Sequence, residues 1–143
     1  MGNRTELHVL DGFTSSHALT YGTLRASRTL ELDGQLLQFI LSTDAELIDQ
    51  LLGNQATLDP DSPEGQRALR LVRLHRALGD VFGAAERVQR FLNTPHAELG
   101  ASPRDLLGTP DGVETVLALV ERDVRDSLDP GFRGALATSS AAM

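Results

Sequence analysis

The chain has 143 residues, enough for one domain or two small helical lobes sharing a core; 41% are hydrophobic, only 4% aromatic, and none is cysteine. A core restricted to Leu, Val and Ala, the first and last strong helix formers, predicts an all-α fold, and the lack of cysteine excludes disulfides, thiolate metal sites and cysteine nucleophiles. The formal charge of −7 argues against a surface given over to nucleic acid, and without an 18-residue apolar run or an opening basic-then-apolar segment the expectation is a cytoplasmic protein with no membrane partner.

Residues 1–14 are mixed in character and are expected to be poorly ordered. A helix is predicted from Ser15 to Leu30, weakened by Gly22. Leu36, Leu37, Ile40 and Leu41 then give one helical face, and Leu47, Ile48, Leu51 and Leu52 give another, with Gly53-Asn54 as the stop. The segment ATLDPDSPEG is a polar connection. A long amphipathic helix follows from about Glu64 to Leu78, with Ala68, Leu71, Leu74, His75, Leu78, Val81 and Phe82 on one side and the arginines from Arg67 to Arg76 on the other. Gly79 and Gly83 are expected to loosen or break it.

A second helix carries Ala85, Val88, Phe91 and Leu92. Beyond it the chain is punctuated by hydroxyl-proline pairs: Thr94-Pro95, Ser102-Pro103 and Thr109-Pro110, with a fourth at Ser62-Pro63. A hydroxyl accepts a hydrogen bond from the free amides at a helix start, and proline fits the first helical position. The pairs therefore predict two short helices after Pro95 and Pro103 and a longer last helix burying Val113, Val116, Leu117, Val120 and Val124. The tail from 129 to 143 is expected to be flexible. The organisation read from the chain is an N-terminal helical lobe over residues 1–62, a compact C-terminal helical lobe over 63–128, and the tail.

Candidate chemistry is sparse. His8, His17, His75 and His96 have no metal-binding spacing, His75 reads as a core residue and His96 as a surface one. There is no nucleophile elbow, phosphate-cradling glycine loop or SxxK motif, so no catalytic residue, metal or cofactor is assigned. The segment QLLQFILSTDAELIDQLLG has the shape of a helix-turn-helix. A reading helix needs cations for phosphates and Arg, Lys, Asn or Gln for base edges. This one carries Asp44, Glu46 and Asp49, and no basic residue lies between Arg28 and Arg67. Phosphate contact would fall to Arg25 and Arg28, or to the Arg67 to Arg76 face, with Thr43 and Gln50 at the turn and second helix. In the C-terminal lobe, Leu99, Leu106, Leu107 and Leu119 are candidates for an exposed apolar patch of the kind that marks protein interfaces. Periodicity alone leaves that patch and an ordinary helical core as alternatives.

The run Phe82-Gly83, Ala85, Phe91-Leu92, Pro95, Leu99-Gly100, Ser102-Pro103, Asp105-Leu106-Leu107, Thr109, Gly112 and Val116 resembles the toxin-binding domain of the MbcA/ParS/Xre antitoxin family over about residues 65–125. His96 stands where that family has Asn, one residue is missing between Gly100 and Ser102, and the last helix reads Glu121-Arg122-Asp123-Val124-Arg125-Asp126. The segment 30–62 sits where relatives carry an Xre-like helix-turn-helix. The resemblance implies a type II antitoxin that binds and silences a RES-domain, NAD-consuming toxin, and it implies promoter DNA as a further partner and a homodimer. On this reading toxin contact falls to Arg104, Asp105, Leu106, Leu107, Val116, Leu119, Arg122 and Arg125. The competing reading is a DNA-binding regulator or helical scaffold with no toxin partner.

Overall fold

The protein is described by a computed structural model that covers residues 15–126. The expectations for residues 1–14 and for the 129–143 tail lie outside those residues. Among the described residues the chain forms seven α-helices and no strand, so the all-α expectation holds. They are α1 Ser16–Thr29, α2 Gly34–Leu41, α3 Ala45–Leu52, α4 Pro63–Phe82, α5 Ala85–Asn93, α6 Pro103–Leu107 and α7 Gly112–Asp126. Two compact units divide the chain, one ending at Val72 and one beginning at Arg73, with the boundary inside α4.

In the first unit each helix start is capped from the sequence. The hydroxyl of Ser15 accepts from Ala18 N at 3.0 Å, the carboxylate of Asp33 from Leu36 N at 2.7 Å, and that of Asp44 from Leu47 N at 2.9 Å. Such caps satisfy amides that the helix itself leaves without partners. α2 ends on Ser42 in the left-handed region (φ 55°), and the stop after α3 is Asn54 (φ 60°) behind Gly53. α2 and α3 pack together, and α1 packs on α3. Their core holds Leu19, Leu30, Leu37, Leu41, Ile48 and Leu51. Leu52, expected on the buried face of α3, is instead exposed. Thr20 ties the 53–62 connection to α1: its hydroxyl donates to Ser16 O at 2.6 Å and accepts from Leu58 N at 2.8 Å. Gly22 does not break α1; a Cβ there would lie 3.4 Å from Val72 Cγ2, so the small residue lets α4 come close.

α4 also outruns its prediction. It passes through Gly79, which faces open space, and ends before Gly83, whose φ of 76° suits glycine. The cost of one helical glycine, about 1 kcal/mol against alanine, is too small to break a 20-residue helix whose apolar face is buried.

Candidate functional site

The second unit is built on the core of Leu74, Leu78, Val88, Phe91, Leu92, Leu107, Val116, Leu117, Leu119 and Val120, all buried. Burying each of the larger side chains contributes roughly 1.5–3 kcal/mol, which offsets the ordering of a segment with little regular structure of its own. The rings of Phe82 and Phe91 lie 4.9 Å apart between the end of α4 and α5.

The hydroxyl-proline pairs divide by residue type. Both serines start helices: Ser62 Oγ accepts from Gly65 N at 2.9 Å, and Ser102 Oγ accepts from Asp105 N at 3.2 Å. Both threonines close the preceding turn. Thr94 Oγ1 donates to Arg90 O and Thr109 Oγ1 to Leu106 O, each at 2.6 Å, so the hydroxyl satisfies a carbonyl at a helix end. The short helix expected after Pro95 therefore does not form. In its place residues 96–101 close into a loop. His96 N donates to Ala101 O at 3.1 Å, while Leu99 N and Gly100 N donate to His96 O, with Gly100 at a φ of 72°.

His96, expected at the surface, is buried inside this loop. Its Nδ1 accepts from Glu98 N at 3.2 Å, its ring meets Phe91 edge-on at 6.2 Å, and its Nε2 has no hydrogen-bond partner among the described residues. The signal missed in the sequence is the loop itself, which closes over whatever side chain follows Pro95.

α6 is only five residues long and is held from three sides. Leu107 is sunk in the core, and Ser102 caps the start. Arg104 reaches back to α5, its Nε donating to Asn93 Oδ1 and one terminal nitrogen to Gln89 Oε1, both at 2.6 Å. The corner into α7 wraps the Leu106 carbonyl, which accepts from Thr109 N at 2.9 Å as well as from the Thr109 hydroxyl. Asp111 follows with a φ of 61°, and Gly112 passes so close to that carbonyl that a Cβ would overlap it. The spacing of Thr109 and Gly112 is thus a device for turning sharply into α7.

The predicted contact residues separate into two groups. Leu107, Val116 and Leu119 are enclosed in the core of this unit, which corrects the expectation of an exposed patch made from Leu107 and Leu119. The reason is that α7 packs on α6 along Val116, Leu117, Leu119 and Val120, and α6 on α5. Arg104 is half-buried in its bonds to α5. Asp105 and Arg122 are exposed, while Leu99, Leu106 and Val113 are half-buried. Arg122 donates to Glu98 at 3.0 and 2.9 Å, and Arg73 to Glu121 at 2.9 and 2.7 Å, so the last helix is tied to the 96–101 loop and to α4. Arg125 sits in the last turn of α7, where side chains lie outside the described residues, as does that of Val124.

The outward strip of α7 runs through Glu114, Thr115, Ala118 and Arg122, with the exposed Asp111 just before it and the half-exposed Leu106 and Val113 beside it. The arrangement offers a mostly polar face with small and half-open apolar positions. Among the described residues no group of three or more His, Cys, Asp or Glu side chains is placed to hold a metal ion, and no helix is long and apolar enough to cross a membrane. Of the residues suggested for DNA, Arg25 and Arg28 are exposed on α1, Gln50 is half-buried on α3, and Thr43 is half-buried in the turn between α2 and α3. The outward side of α3 carries Glu46 and Asp49.

Residues 77–123 match the family model of the antitoxin Xre/MbcA/ParS C-terminal toxin-binding domain. No curated protein matches the chain. The matched segment runs from the end of α4 to the outward strip of α7.

Proposed function

We propose, from the premise that residues 77–123 carry the toxin-binding domain of the Xre/MbcA/ParS antitoxins, that this chain neutralises a RES-domain, NAD-consuming toxin by covering the entrance to its active site. Inhibition of this kind is steric and needs no bond to be made or broken by the antitoxin. The observation that carries the reading is the coincidence of that family match with the built corner of α5, the 96–101 loop, α6 and α7. The buried Leu107, Val116 and Leu119 hold the shape of the corner. Asp105, Leu106 and Arg122 present it to the toxin, with Val113 and Ala118 as further contacts. Rim charges of this kind set orientation and encounter rate more than raw affinity, and the half-open apolar positions supply the contact that excludes water.

The test is co-expression with the product of the neighbouring gene, read by growth, by cellular NAD level and by co-purification. Growth and NAD are expected to be restored by the chain, and to be lost again with Leu106→Glu or Arg122→Glu while the fold is retained. A chain that neither co-purifies with the toxin nor restores growth would overturn the reading. Promoter DNA is not included in the proposal, because Glu46 and Asp49 on α3 would face phosphates with like charge.

A further inference from the structure

Among the described residues, only His96 buries a side-chain polar atom that has no hydrogen-bond partner: the residue is 7% exposed, and the atom is Nε2. The other ring nitrogen is occupied, since Nδ1 accepts from Glu98 N at 3.2 Å. A nitrogen that accepts carries no proton, so this bond assigns a neutral ring with its proton on Nε2. The His96 backbone closes the same loop through three bonds: its N donates to Ala101 O, and its O accepts from Leu99 N and Gly100 N. From α5 the ring is met edge-on by Phe91, which offers no acceptor.

What the ring holds leads outward to α7. Glu98, whose amide His96 fixes, also receives Arg122, at 3.0 and 2.9 Å. Both side chains are exposed, and an exposed ion pair contributes little by itself, so Arg122 is held only as firmly as the loop holds Glu98. A proton on Nδ1 undoes that hold. It replaces the lone pair that takes the Glu98 amide by a second donor, and it places a charge in a buried position with no acceptor for either nitrogen. The charged side chains on the elements around the loop are Glu98 on the loop itself, Arg90 on α5, Arg104 and Asp105 on α6, and Arg122 and Asp123 on α7; none of them bonds the ring. Glu98, two residues along, is the carboxylate best placed to answer an imidazolium, and to do so it must leave Arg122. Either course releases Arg122.

We infer that His96 is a positioning residue for Arg122 and that it makes toxin capture by the α5–α7 corner proton-gated. The neutral ring keeps the 96–101 loop closed and Arg122 presented; the protonated ring lets both go. The inference rests on the role proposed above for Arg122 at the toxin surface. Histidine is the residue type that changes charge between about pH 5 and 8, where carboxylates and arginine keep theirs. The opened loop takes the proton and the closed loop has no place for it, so the closed form weakens as pH falls and recovers as pH rises.

The experiment follows the free full-length chain from about pH 8 to about pH 5.5, by NMR of the imidazole nitrogens and by amide hydrogen exchange expressed as protection factors. At the upper pH the His96 ring is expected to carry its proton on Nε2 and the Glu98 amide to be protected. By the lower pH that protection is expected to fall about fivefold or more, the loss of one neutral hydrogen bond. His96→Asn is the conservative variant: its side-chain carbonyl accepts from the amide two residues on and does not titrate, so protection is expected to be retained and flat with pH. His8, His17 and His75 remain in that variant, so they cannot account for a difference from the parent. His96→Leu, which has no acceptor, is expected to leave the Glu98 amide poorly protected at both ends of the range with the helical circular dichroism spectrum unchanged. Affinity for the product of the neighbouring gene is expected to drop about fivefold across the same range in the parent and to stay level in His96→Asn relative to it. Protection at Glu98 that ignores pH, a ring protonated on Nδ1 at about pH 8, or a His96→Asn chain as pH-dependent as the parent would overturn the inference. Capture that ignores pH while the loop opens would overturn the gating. No capture at any pH would sink the toxin reading, a failure that the ring and amide signals of the free chain do not share.

Discussion

Single residues decide whether the C-terminal corner can be drawn at all. Gly112 has no room for a side chain against the Leu106 carbonyl, whereas Gly79 faces open space in the interior of α4. Alanine is therefore expected to act in opposite directions at the two sites. Gly112→Ala should cost roughly 2 kcal/mol or more through forced backbone movement, and Gly79→Ala should stabilise by about 0.5–1 kcal/mol by removing the helical cost of glycine. Thermal unfolding of the two variants checks both signs; equal melting temperatures would remove the steric account of the Thr109–Gly112 turn. The hydroxyl-proline pairs were visible in the sequence, but their division was not. Serine caps forward at Ser62 and Ser102, while threonine bonds backward at Thr94 and Thr109. Both uses satisfy orphan backbone groups, and the pair pattern alone does not say whether the hydroxyl finds an amide ahead or a carbonyl behind.

At the scale of elements, a five-residue helix such as α6 cannot stand on its own hydrogen bonds, since helix nucleation in water is unfavourable. It exists because Ser102, Arg104 and Leu107 fasten it. Leu107→Ala is expected to cost about 2–5 kcal/mol, as for other enclosed leucines, and Ser102→Ala about 1 kcal/mol. Chemical denaturation measures both, and a Leu107→Ala loss below about 1 kcal/mol would place that side chain outside the core. The longer helices were legible because period and caps agreed: Ser15, Asp33 and Asp44 begin α1, α2 and α3, and Asn54 follows α3 where Gly53-Asn54 was expected to stop it. The loop from His96 to Ala101 was not legible, because its closure depends on backbone bonds between residues with no distinctive pattern. For the candidate site, the sequence identified the right segment but not which leucines face inward. Leu106 and Leu107 are adjacent in the chain, yet one is half-open and the other enclosed, a difference set by the three-sided fastening of α6.

Across the whole molecule, the proposed function rests on a surface of the second unit. The segment that matches the toxin-binding family model presents a polar strip with half-open apolar positions on α6 and α7, and the first unit carries the exposed Tyr21, Phe39 and Leu52. Arg122→Glu is expected to weaken toxin capture while leaving the helical circular dichroism spectrum unchanged, since Arg122 is exposed and its partner Glu98 is exposed as well. The central claim is that the corner from α5 to α7 silences a toxin by occlusion. Its most direct measurement is NAD consumption by the purified product of the neighbouring gene proposed as the toxin, titrated with the full-length chain. Consumption should fall to zero at a fixed stoichiometric ratio and recover with Leu106→Glu. Undiminished consumption in the presence of excess folded chain would contradict it.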